Sequence, residues 1–124
     1  MDKRTILLVE DDETLRSMYQ LHLEMNGLTV LVARNGEEGI QSALAHHPDL
    51  IVADLMMPKM DGITMMNKIR EDAWGRTAKV VFLTNLTDPE SVFHSFKLKP
   101  EDYIVKIHTD LKEVINKIRS AMTA

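Results

Sequence analysis

Polar side chains follow short apolar runs at four points of this sequence. Glu10-Asp11-Asp12 follows Ile6 to Val9, Asp54 follows Leu50 to Ala53, Thr84 follows Val80 to Leu83, and Lys106 follows Tyr103 to Val105. If the runs are parallel strands, these side chains meet at one edge of the sheet, outside the carboxyl ends. Crowded carboxylates repel by about 4 kcal/mol per pair at 4 Å near a surface, so they require a counter-cation or a raised pKa.

Such a group of residues fits phosphoryl transfer to a carboxylate. That chemistry requires a nucleophilic Asp, a metal ion, a cation and a hydrogen-bond donor. Mg²⁺ prefers oxygen ligands and typically takes one or two protein carboxylates together with phosphate oxygens. Asp54 is the best candidate nucleophile, because Met56-Met57-Pro58 indicates a turn that would leave its side chain at the sheet edge. Thr84 could donate its hydroxyl to a phosphoryl oxygen, and Lys106 could supply positive charge.

Five apolar runs alternate with segments of helical period along the chain. The runs are Ile6 to Val9, Leu28 to Val32, Leu50 to Ala53, Val80 to Leu83 and Tyr103 to Val105. Several lack apolar and polar alternation, which is typical of strands buried on both faces of a parallel sheet. The pattern therefore predicts an open α/β sheet with right-handed crossovers and helices on both faces.

Caps and periodicity predict five helices. They run from about Asp12 to Asn26-Gly27, from about Gly36 to His47, from near Gly62, from Asp88-Pro89-Glu90, and from about Asp110 to Ala121. Asp12 is expected to cap the first helix, where a carboxylate meets the positive end of the helix dipole. The second helix is predicted to present an apolar face at 3-4-3 spacing, formed by Ile40, Ala43, Leu44 and His47.

Composition limits the classes of protein to consider. The chain has 124 residues, of which 44% are hydrophobic, and this is enough for one domain spanning residues 1–124. It has no cysteine, which excludes disulfides and thiolate metal sites. A net charge of -4 argues against direct nucleic-acid binding. Without a membrane-length apolar run or a signal peptide, we expect a cytoplasmic protein without membrane contact.

Four motifs carry a resemblance to a known family. Val9-Glu10-Asp11-Asp12, the segment Asp54 to Gly62, Thr84, and Tyr103-Ile104-Val105-Lys106 resemble the receiver domain of two-component response regulators, in its stand-alone, chemotaxis-regulator-like form. The resemblance covers nearly the whole chain. It implies a flavodoxin-like (βα)5 three-layer sandwich whose five-stranded parallel sheet has the strand order 2-1-3-4-5.

The resemblance also implies residue roles. Asp54 would accept a phosphoryl group from a sensor histidine kinase or a phosphotransfer protein. Asp11 would bind Mg²⁺ directly, Glu10 would bind it through water, and the Met56 backbone carbonyl would be a further ligand. Thr84 and Tyr103 resemble the family's switch pair. Such a switch would change binding to a downstream protein, whose identity the sequence does not give, as a monomer or a weak phosphorylation-dependent dimer.

The sequence departs from the family at three places. Ile107 follows Lys106 where most receivers have a cis proline, and since a cis bond costs roughly 2.5 to 4 kcal/mol before other residues, we predict a trans bond. Lys99-Pro100 replaces the usual Gly-Ala. Asn85 and Met56 could narrow access to the phosphoryl group, so we hypothesise an altered lifetime of the phosphorylated state.

Alternative functions stay open at this point. A haloacid-dehalogenase-type phosphohydrolase also uses an aspartyl phosphate, but it has an acid where this chain has Met56. Flavin binding is less favoured, because Glu10-Asp11-Asp12 would repel a phosphate. A phosphorylation-independent interaction module would keep the fold without the chemistry. The leading interpretation is a switch that assists its own phosphorylation and dephosphorylation but turns over no external metabolite, so we do not expect an enzyme.

Histidines and methionines have structural readings. The five histidines show no ligand spacing and are expected to be structural or solvated; they are His22, His46, His47, His94 and His108. Five of the nine methionines lie between Met56 and Met66. Core filling is the favoured reading for Met66 and its helical neighbours, although an adaptable binding surface is the alternative.

Overall fold

Five parallel strands form one sheet in a computed structural model, which describes residues 4–84, 103–105 and 110–123. The strands are β1 (Thr5–Val9), β2 (Thr29–Ala33), β3 (Leu50–Asp54), β4 (Val80–Thr84) and β5 (Tyr103–Val105). Their order is β2-β1-β3-β4-β5, and every neighbouring pair is parallel. The predicted flavodoxin-like α/β fold and strand order are therefore confirmed. The second strand begins one residue later than the sequence predicted.

Helices cover both faces of the sheet. They are α1 (Glu13–Met25), α2 (Gly36–His46), α3 (Gly62–Ile69) and α4 (Leu111–Thr123), with a short 3₁₀ helix at Trp74–Thr77. The predicted helix from Asp88 lies outside the described residues, as do Lys99-Pro100 and the Lys106–Ile107 bond. None of the helices within the described ranges is long and apolar enough to cross a membrane.

Two apolar layers enclose the sheet. On one face, α1 and α4 bury Leu23, Val114 and Ile118 against side chains of β1, β3 and β4. On the other face, α2 and α3 bury Ala43 and Met65 among residues of the same three strands. All five residues of β3 are buried, as the continuous apolar run predicted for a central strand.

The packing face of α2 differs from the prediction. Leu44 is 37% exposed, and His47 is an exposed C-cap residue with a left-handed backbone (φ 48°). Gly36, Gly39 and Ala43 are the buried residues of this helix. A Cβ added at Gly39 would lie 2.7 Å from the Met65 sulfur and 3.1 Å from a Val9 methyl, so α2 approaches its neighbours through residues that have almost no side chain.

Side-chain caps begin each of the four described α-helices, and Asp110 caps α4 by accepting from the Glu113 N–H at 2.9 Å. Asp12 accepts a hydrogen bond from the Leu15 N–H at 2.9 Å, as predicted, and Asn35 and Asp61 cap α2 and α3 in the same way. Gly27 follows α1 with φ 85°, which a residue with a side chain rarely adopts. These caps fix where each helix leaves the carboxyl edge of the sheet.

Methionines near α3 fill the core as the favoured reading predicted. Met65 and Met66 are buried on α3, and Met57 is buried in the preceding loop. Met56 is 45% exposed, so it is the member of this group that faces solvent. The core reading therefore holds for Met66 and its helical neighbour Met65.

Candidate functional site

Three carboxylates meet at the carboxyl edge of the sheet. One oxygen from each of Glu10, Asp11 and Asp54 lies within 4.8 Å of the other two. Glu10 and Asp11 follow β1, and Asp54 ends the adjacent strand β3. The sequence therefore predicted the juxtaposition correctly, because polar residues after neighbouring parallel strands share one edge.

Glu10 is held under the first turn of α1. Its backbone N–H donates to Ala33 at 3.1 Å, which extends the pairing of β1 with β2 by one residue. Its carboxylate accepts from the Asp12 N–H at 3.3 Å, and its carbonyl accepts from the Arg16 guanidinium at 2.9 Å. Glu10 is completely buried while Asp11 is exposed, so the two adjacent acids occupy different environments.

Asp54 is buried and held by a close approach of α3. Its side chain is 3% exposed, and its position in β3 lies beside Leu83 in β4. The next residue, Leu55, donates to the Leu83 carbonyl and accepts from the Gly62 N–H, both at 2.8 Å. A Cβ at Gly62 would lie 2.5 Å from the Asp54 carbonyl, so glycine is required where α3 begins.

Thr84 ends β4 at the same edge. It is completely buried, and its hydroxyl makes no hydrogen bond within the described part of the chain. A buried hydroxyl without a hydrogen-bond partner costs about 1–3 kcal/mol, so a ligand oxygen that accepted a hydrogen bond from it would recover that free energy. The Thr84 hydroxyl is therefore placed as a hydrogen-bond donor for a ligand bound at this edge of the sheet.

The other predicted site residues are described only in part. Tyr103 lies in β5 beside Phe82, although only its backbone is described. Lys106, Asn85, Ile107 and His108 lie outside the described residues. The structure therefore brings together the three acids of the predicted set and places Thr84 at the same edge of the sheet, at the end of the neighbouring strand.

The donor set fits a hard divalent cation. All three side chains of the cluster offer carboxylate oxygens, the ligand type that Mg²⁺ prefers, and two of them are buried where an uncompensated negative charge is costly. Thr84 adds a donor that can contact a phosphoryl oxygen but cannot neutralise charge. The cluster thus could hold a metal ion next to a carboxylate nucleophile.

Comparison with known proteins assigns the family. The model of the response regulator receiver domain matches residues 6–119. The chain therefore belongs to the response regulator receiver domain family, whose members generally use Mg²⁺ at an acidic pocket.

Particular relatives are response regulators. The chain is 37% identical over 105 residues to the transcriptional regulatory protein RprY of Bacteroides fragilis, covering 85% of this chain and 44% of that protein. It is 32% identical over 117 residues to the DNA-binding dual master transcriptional regulator RpaA of Synechocystis, covering 94% of this chain and 48% of that protein. The chain thus spans about half the length of these curated relatives. The receiver domain of the Francisella response regulator 1452 is 26% identical, with a TM-score of 0.81 and coverage of 98% of each chain.

Sequence reasoning missed two residues that shape this site. Gly62 was read only as a helix start, whereas it lets α3 approach the Asp54 backbone. Arg16 was not considered, yet it ties α1 to the Glu10 carbonyl. The sequence signal for Gly62 was a glycine directly after the N-cap residue Asp61. The sequence held no signal for the role of Arg16, because exposed arginines are common on helices.

Proposed function

We propose that this domain is a phosphorylation-activated switch of a two-component or phosphorelay system, with Asp54 as the phosphoacceptor. The observation that carries the proposal is the buried Asp54 carboxylate within 4.8 Å of Glu10 and Asp11. In the transfer, an Asp54 oxygen forms a bond to phosphorus while the phosphorus–nitrogen bond of a phosphohistidine breaks. The domain would assist this step without turning over a metabolite.

Each residue has a separate part in the proposal. Glu10, Asp11, Asp54 and the Met56 carbonyl would hold Mg²⁺, which when bound supplies positive charge beside the phosphoryl oxygens. Thr84 would donate its hydroxyl to a phosphoryl oxygen, and Lys106 would pair with another. Tyr103 would respond to the movement of Thr84 as the second member of the switch pair.

The partners in this proposal follow from the class of protein. A cytoplasmic sensor histidine kinase or a phosphotransfer protein would donate the phosphoryl group, and a downstream protein would bind the phosphorylated state. The domain itself would act as a monomer or weak phosphorylation-dependent dimer, without direct contact to nucleic acid or membrane. Phosphorylation would shift the equilibrium between two conformations of the domain. The size of the shift would equal the difference in free energy with which the phosphoryl group interacts with each conformation.

The direct test is phosphorylation by a small donor. The protein is incubated with acetyl phosphate with and without Mg²⁺, and its intact mass is recorded beside Asp54→Asn and Asp61→Asn. We expect one base-labile phosphoryl adduct that requires Mg²⁺, is absent in Asp54→Asn and persists in Asp61→Asn. The Asp61 control removes an equal charge from a nearby helix cap that accepts from Thr64.

A negative result would change the assignment. If neither acetyl phosphate nor a phosphorylated kinase produced an adduct, the phosphorylation-independent interaction module would replace the switch. An adduct that persisted in Asp54→Asn would instead move the phosphoacceptor to another residue.

The lifetime of the phosphorylated state is a finer part of the proposal. Met56 is exposed two residues after Asp54, where its side chain can limit access of water to a phosphoryl group. Replacing Met56 by Asn together with Asn85 by Ala is expected to change the rate at which the adduct decays. An unchanged decay rate, followed by intact mass after removal of the donor, would contradict this role.

A further inference from the structure

Strand β2 lies at one end of the sheet and has a free side. The strand order gives β2 one neighbour, β1, within the described part of the chain. The Thr29 N–H at the start of β2 donates to the Arg4 carbonyl at 3.0 Å, so Thr29 directs its backbone groups toward β1. Because these groups alternate in direction along a strand, Val30 and Val32 direct theirs away from β1. Two N–H groups and two carbonyls therefore form an outer edge.

The outer edge of β2 lacks the features that usually block pairing with a further strand. Edge strands of natural proteins are commonly protected by charged side chains, proline or a bulge. The five residues Thr29–Ala33 include no charged residue and no proline, and they pair with β1 in regular register throughout. Val32 is apolar and yet 42% exposed. The edge is therefore suited to the addition of a strand.

Both faces of β2 are apolar up to this edge. Val30 packs against the apolar cluster beneath α1 and α4, and Leu31 packs against the cluster beneath α2 and α3. Val32 lies on the same face as Val30, because side chains alternate along a strand. An added strand with apolar side chains would thus extend both apolar layers of the domain.

The helix α1 carries charges of opposite sign near the two ends of β2. Arg16, Gln20 and Glu24 follow i, i+4 and i+8 spacing and form one ridge of α1. His22 and Asn26 line the side of α1 that faces α4, so this ridge lies on the other side, toward the outer edge of β2. Since α1 runs antiparallel to β2, Arg16 is near the carboxyl end of β2 and Glu24 is near its amino end.

We propose that β2 pairs antiparallel with β2 of a second copy of this chain, which joins the two sheets into one. A two-fold axis through Leu31 sets Val30 opposite Val32 of the second copy, and symmetry repeats this pair. Each pair exchanges two backbone hydrogen bonds through groups that face away from β1. The outer edge is thus complementary to itself in a single register.

The charges on α1 favour a second copy as the occupant. In the antiparallel arrangement, Arg16 of one copy lies at the end of the interface where Glu24 of the other copy lies. Opposite charges therefore meet at both ends, whereas a parallel arrangement would bring like charges together. The groups involved lie outside the acidic cluster, so the pairing is independent of the phosphorylation proposed for Asp54.

The predicted dimer is weak. Its contact consists of one five-residue strand on each side, together with the flanks of the adjacent helices. Interfaces that bury less than about 1,200 Å² are typical of transient complexes. We therefore expect a dissociation constant on the order of 0.1 to 1 mM.

The test combines sedimentation equilibrium with amide hydrogen exchange by NMR, from about 10 μM to about 1 mM protein. Val32→Pro removes an outward N–H but leaves the hydrogen bonds to β1 in place, and Val32→Lys adds a charge at the same position. The control for the lysine variant is Leu44→Lys, at a position of α2 that is 37% exposed. Glu24→Lys is compared with Glu37→Lys, on the side of α2 that faces the loop before α3.

The exchange of individual amides gives the most specific result. The Val30 and Val32 amides should exchange more slowly as the protein concentration rises, because they become hydrogen-bonded in the dimer. The Leu31 amide faces β1 and is bonded already in the monomer, so its exchange should change much less. Thermal unfolding followed by circular dichroism shows that each variant is folded.

The variants should rank by the contacts that they remove. Val32→Pro should raise the dissociation constant at least tenfold, because symmetry removes two hydrogen bonds. Glu24→Lys should raise it about fivefold, since an exposed attraction becomes a repulsion. Leu44→Lys, Glu37→Lys and Asp54→Asn should leave it unchanged, and the last of these separates this result from the outcome of the phosphorylation test.

Other results would overturn the proposal. A protein that stays monomeric to about 1 mM, with exchange at Val30 and Val32 independent of concentration, has no pairing at this edge. Dimers that persist unchanged in Val32→Lys, or in a folded Val32→Pro, must form through another surface. If Glu24→Lys and Glu37→Lys weakened the dimer equally, net charge rather than the ridge on α1 would determine its stability.

Discussion

The two edges of the sheet differ in how deeply they bury polar groups. At the carboxyl edge, Glu10, Asp54 and Thr84 are buried, and they are the buried polar or charged side chains among those that the structure describes. At the amino edge, polar side chains stay at least partly exposed and bind backbone atoms. Asp49 accepts from the Thr5 N–H at 2.8 Å, and Lys79 donates to the Met122 carbonyl at 3.2 Å.

Arg70 and Trp74 extend this pattern at the amino edge. The Arg70 guanidinium donates to the carbonyls of Gly75 at 3.1 Å and Ala78 at 2.9 Å. His47 stacks on Trp74 with ring centroids 4.5 Å apart and planes 5° from parallel. These contacts stabilise the loops that enter the strands. The amino edge therefore contributes stability, whereas the carboxyl edge buries the acids that would hold a cation.

The largest effect on stability is expected from Gly75→Ala at the amino edge. A Cβ at Gly75 would lie 1.8 Å from the Ile69 carbonyl oxygen, so the 3₁₀ helix must move away from α3. Overpacking of this kind costs about 3 kcal/mol. Urea denaturation should show the loss, while the Mg²⁺ affinity of the folded protein stays unchanged. A large change in affinity would mean that the two edges are not independent.

Arg70→Met should have the next largest effect. The substitution keeps much of the aliphatic volume of Arg70 but removes its guanidinium. The partly buried carbonyls of Gly75 and Ala78 then lose these hydrogen-bond donors. Losing hydrogen bonds from a charged donor should lower the free energy of unfolding by about 2 kcal/mol. The measurement is again urea denaturation, paired with the rate of phosphorylation by acetyl phosphate. A phosphorylation rate that fell together with stability would contradict the proposal that the amino edge contributes stability without affecting the chemistry at the carboxyl edge.

Two adjacent acids at the carboxyl edge should behave differently. Asp12→Ala removes the cap on the Leu15 N–H and should cost about 1 kcal/mol of stability, with Mg²⁺ affinity nearly unchanged. Asp11→Ala should reduce Mg²⁺ affinity strongly at little cost in stability, since Asp11 is exposed. Calorimetric titration with Mg²⁺ and thermal unfolding of both variants check this. Equal loss of affinity would make Asp12 part of the metal site.

The smallest effect is expected at an exposed ion pair beyond β2. The Arg34 guanidinium donates to Glu38 at 2.9 Å, and this side-chain hydrogen bond lowers the pKa of the Glu38 carboxyl below its ordinary value. Because the folded-state pKa is lowered, the pair adds stability above the ordinary pKa of about 4.5 and loses it as the pH falls through the folded value.

Glu38→Gln should therefore lower stability slightly at neutral pH and flatten the dependence of stability on pH as the pH falls below about 4.5. Urea denaturation at several pH values measures this slope for both proteins. A decrease as large as that of Arg70→Met would show that exposed charges at the carboxyl edge matter as much as buried contacts at the amino edge. The comparison would then fail.

Much of the fold could be predicted from the sequence, because uninterrupted apolar runs such as Leu50 to Ala53 identify buried strands. The convergence of Glu10, Asp11 and Asp54 followed from their positions at the carboxyl ends of predicted parallel strands. The face of α2 could not be predicted, since periodicity counts apolar side chains and treats Gly36 and Gly39 as neutral. These glycines pack closely only because Met60 and Met65 lie opposite, and those contacts cross elements distant in sequence.

The burial of individual side chains at the site also could not be predicted from the sequence. Nothing in Glu10-Asp11-Asp12 distinguishes the fully buried Glu10 from the exposed Asp11, because their environments depend on how α1 leaves β1. The stacking of His47 on Trp74 likewise joins residues far apart in the chain, and it is consistent with the structural role expected of His47.

The most direct test of the account measures the free energy of unfolding of the wild type, Asp54→Asn and Glu71→Gln, with and without Mg²⁺. Glu71→Gln removes an equal charge at an exposed position after α3. Without Mg²⁺, Asp54→Asn should be more stable than the wild type by about 1 to 2 kcal/mol, because one of three crowded charges is gone.

Addition of Mg²⁺ at ten times its dissociation constant should stabilise the wild type and Glu71→Gln by about 1.4 kcal/mol and Asp54→Asn by less. This pattern would establish that the carboxyl edge gives up stability for a cation. Equal stabilities without Mg²⁺ and equal gains with it would contradict the central claim that Asp54 belongs to a crowded, cation-dependent acidic site.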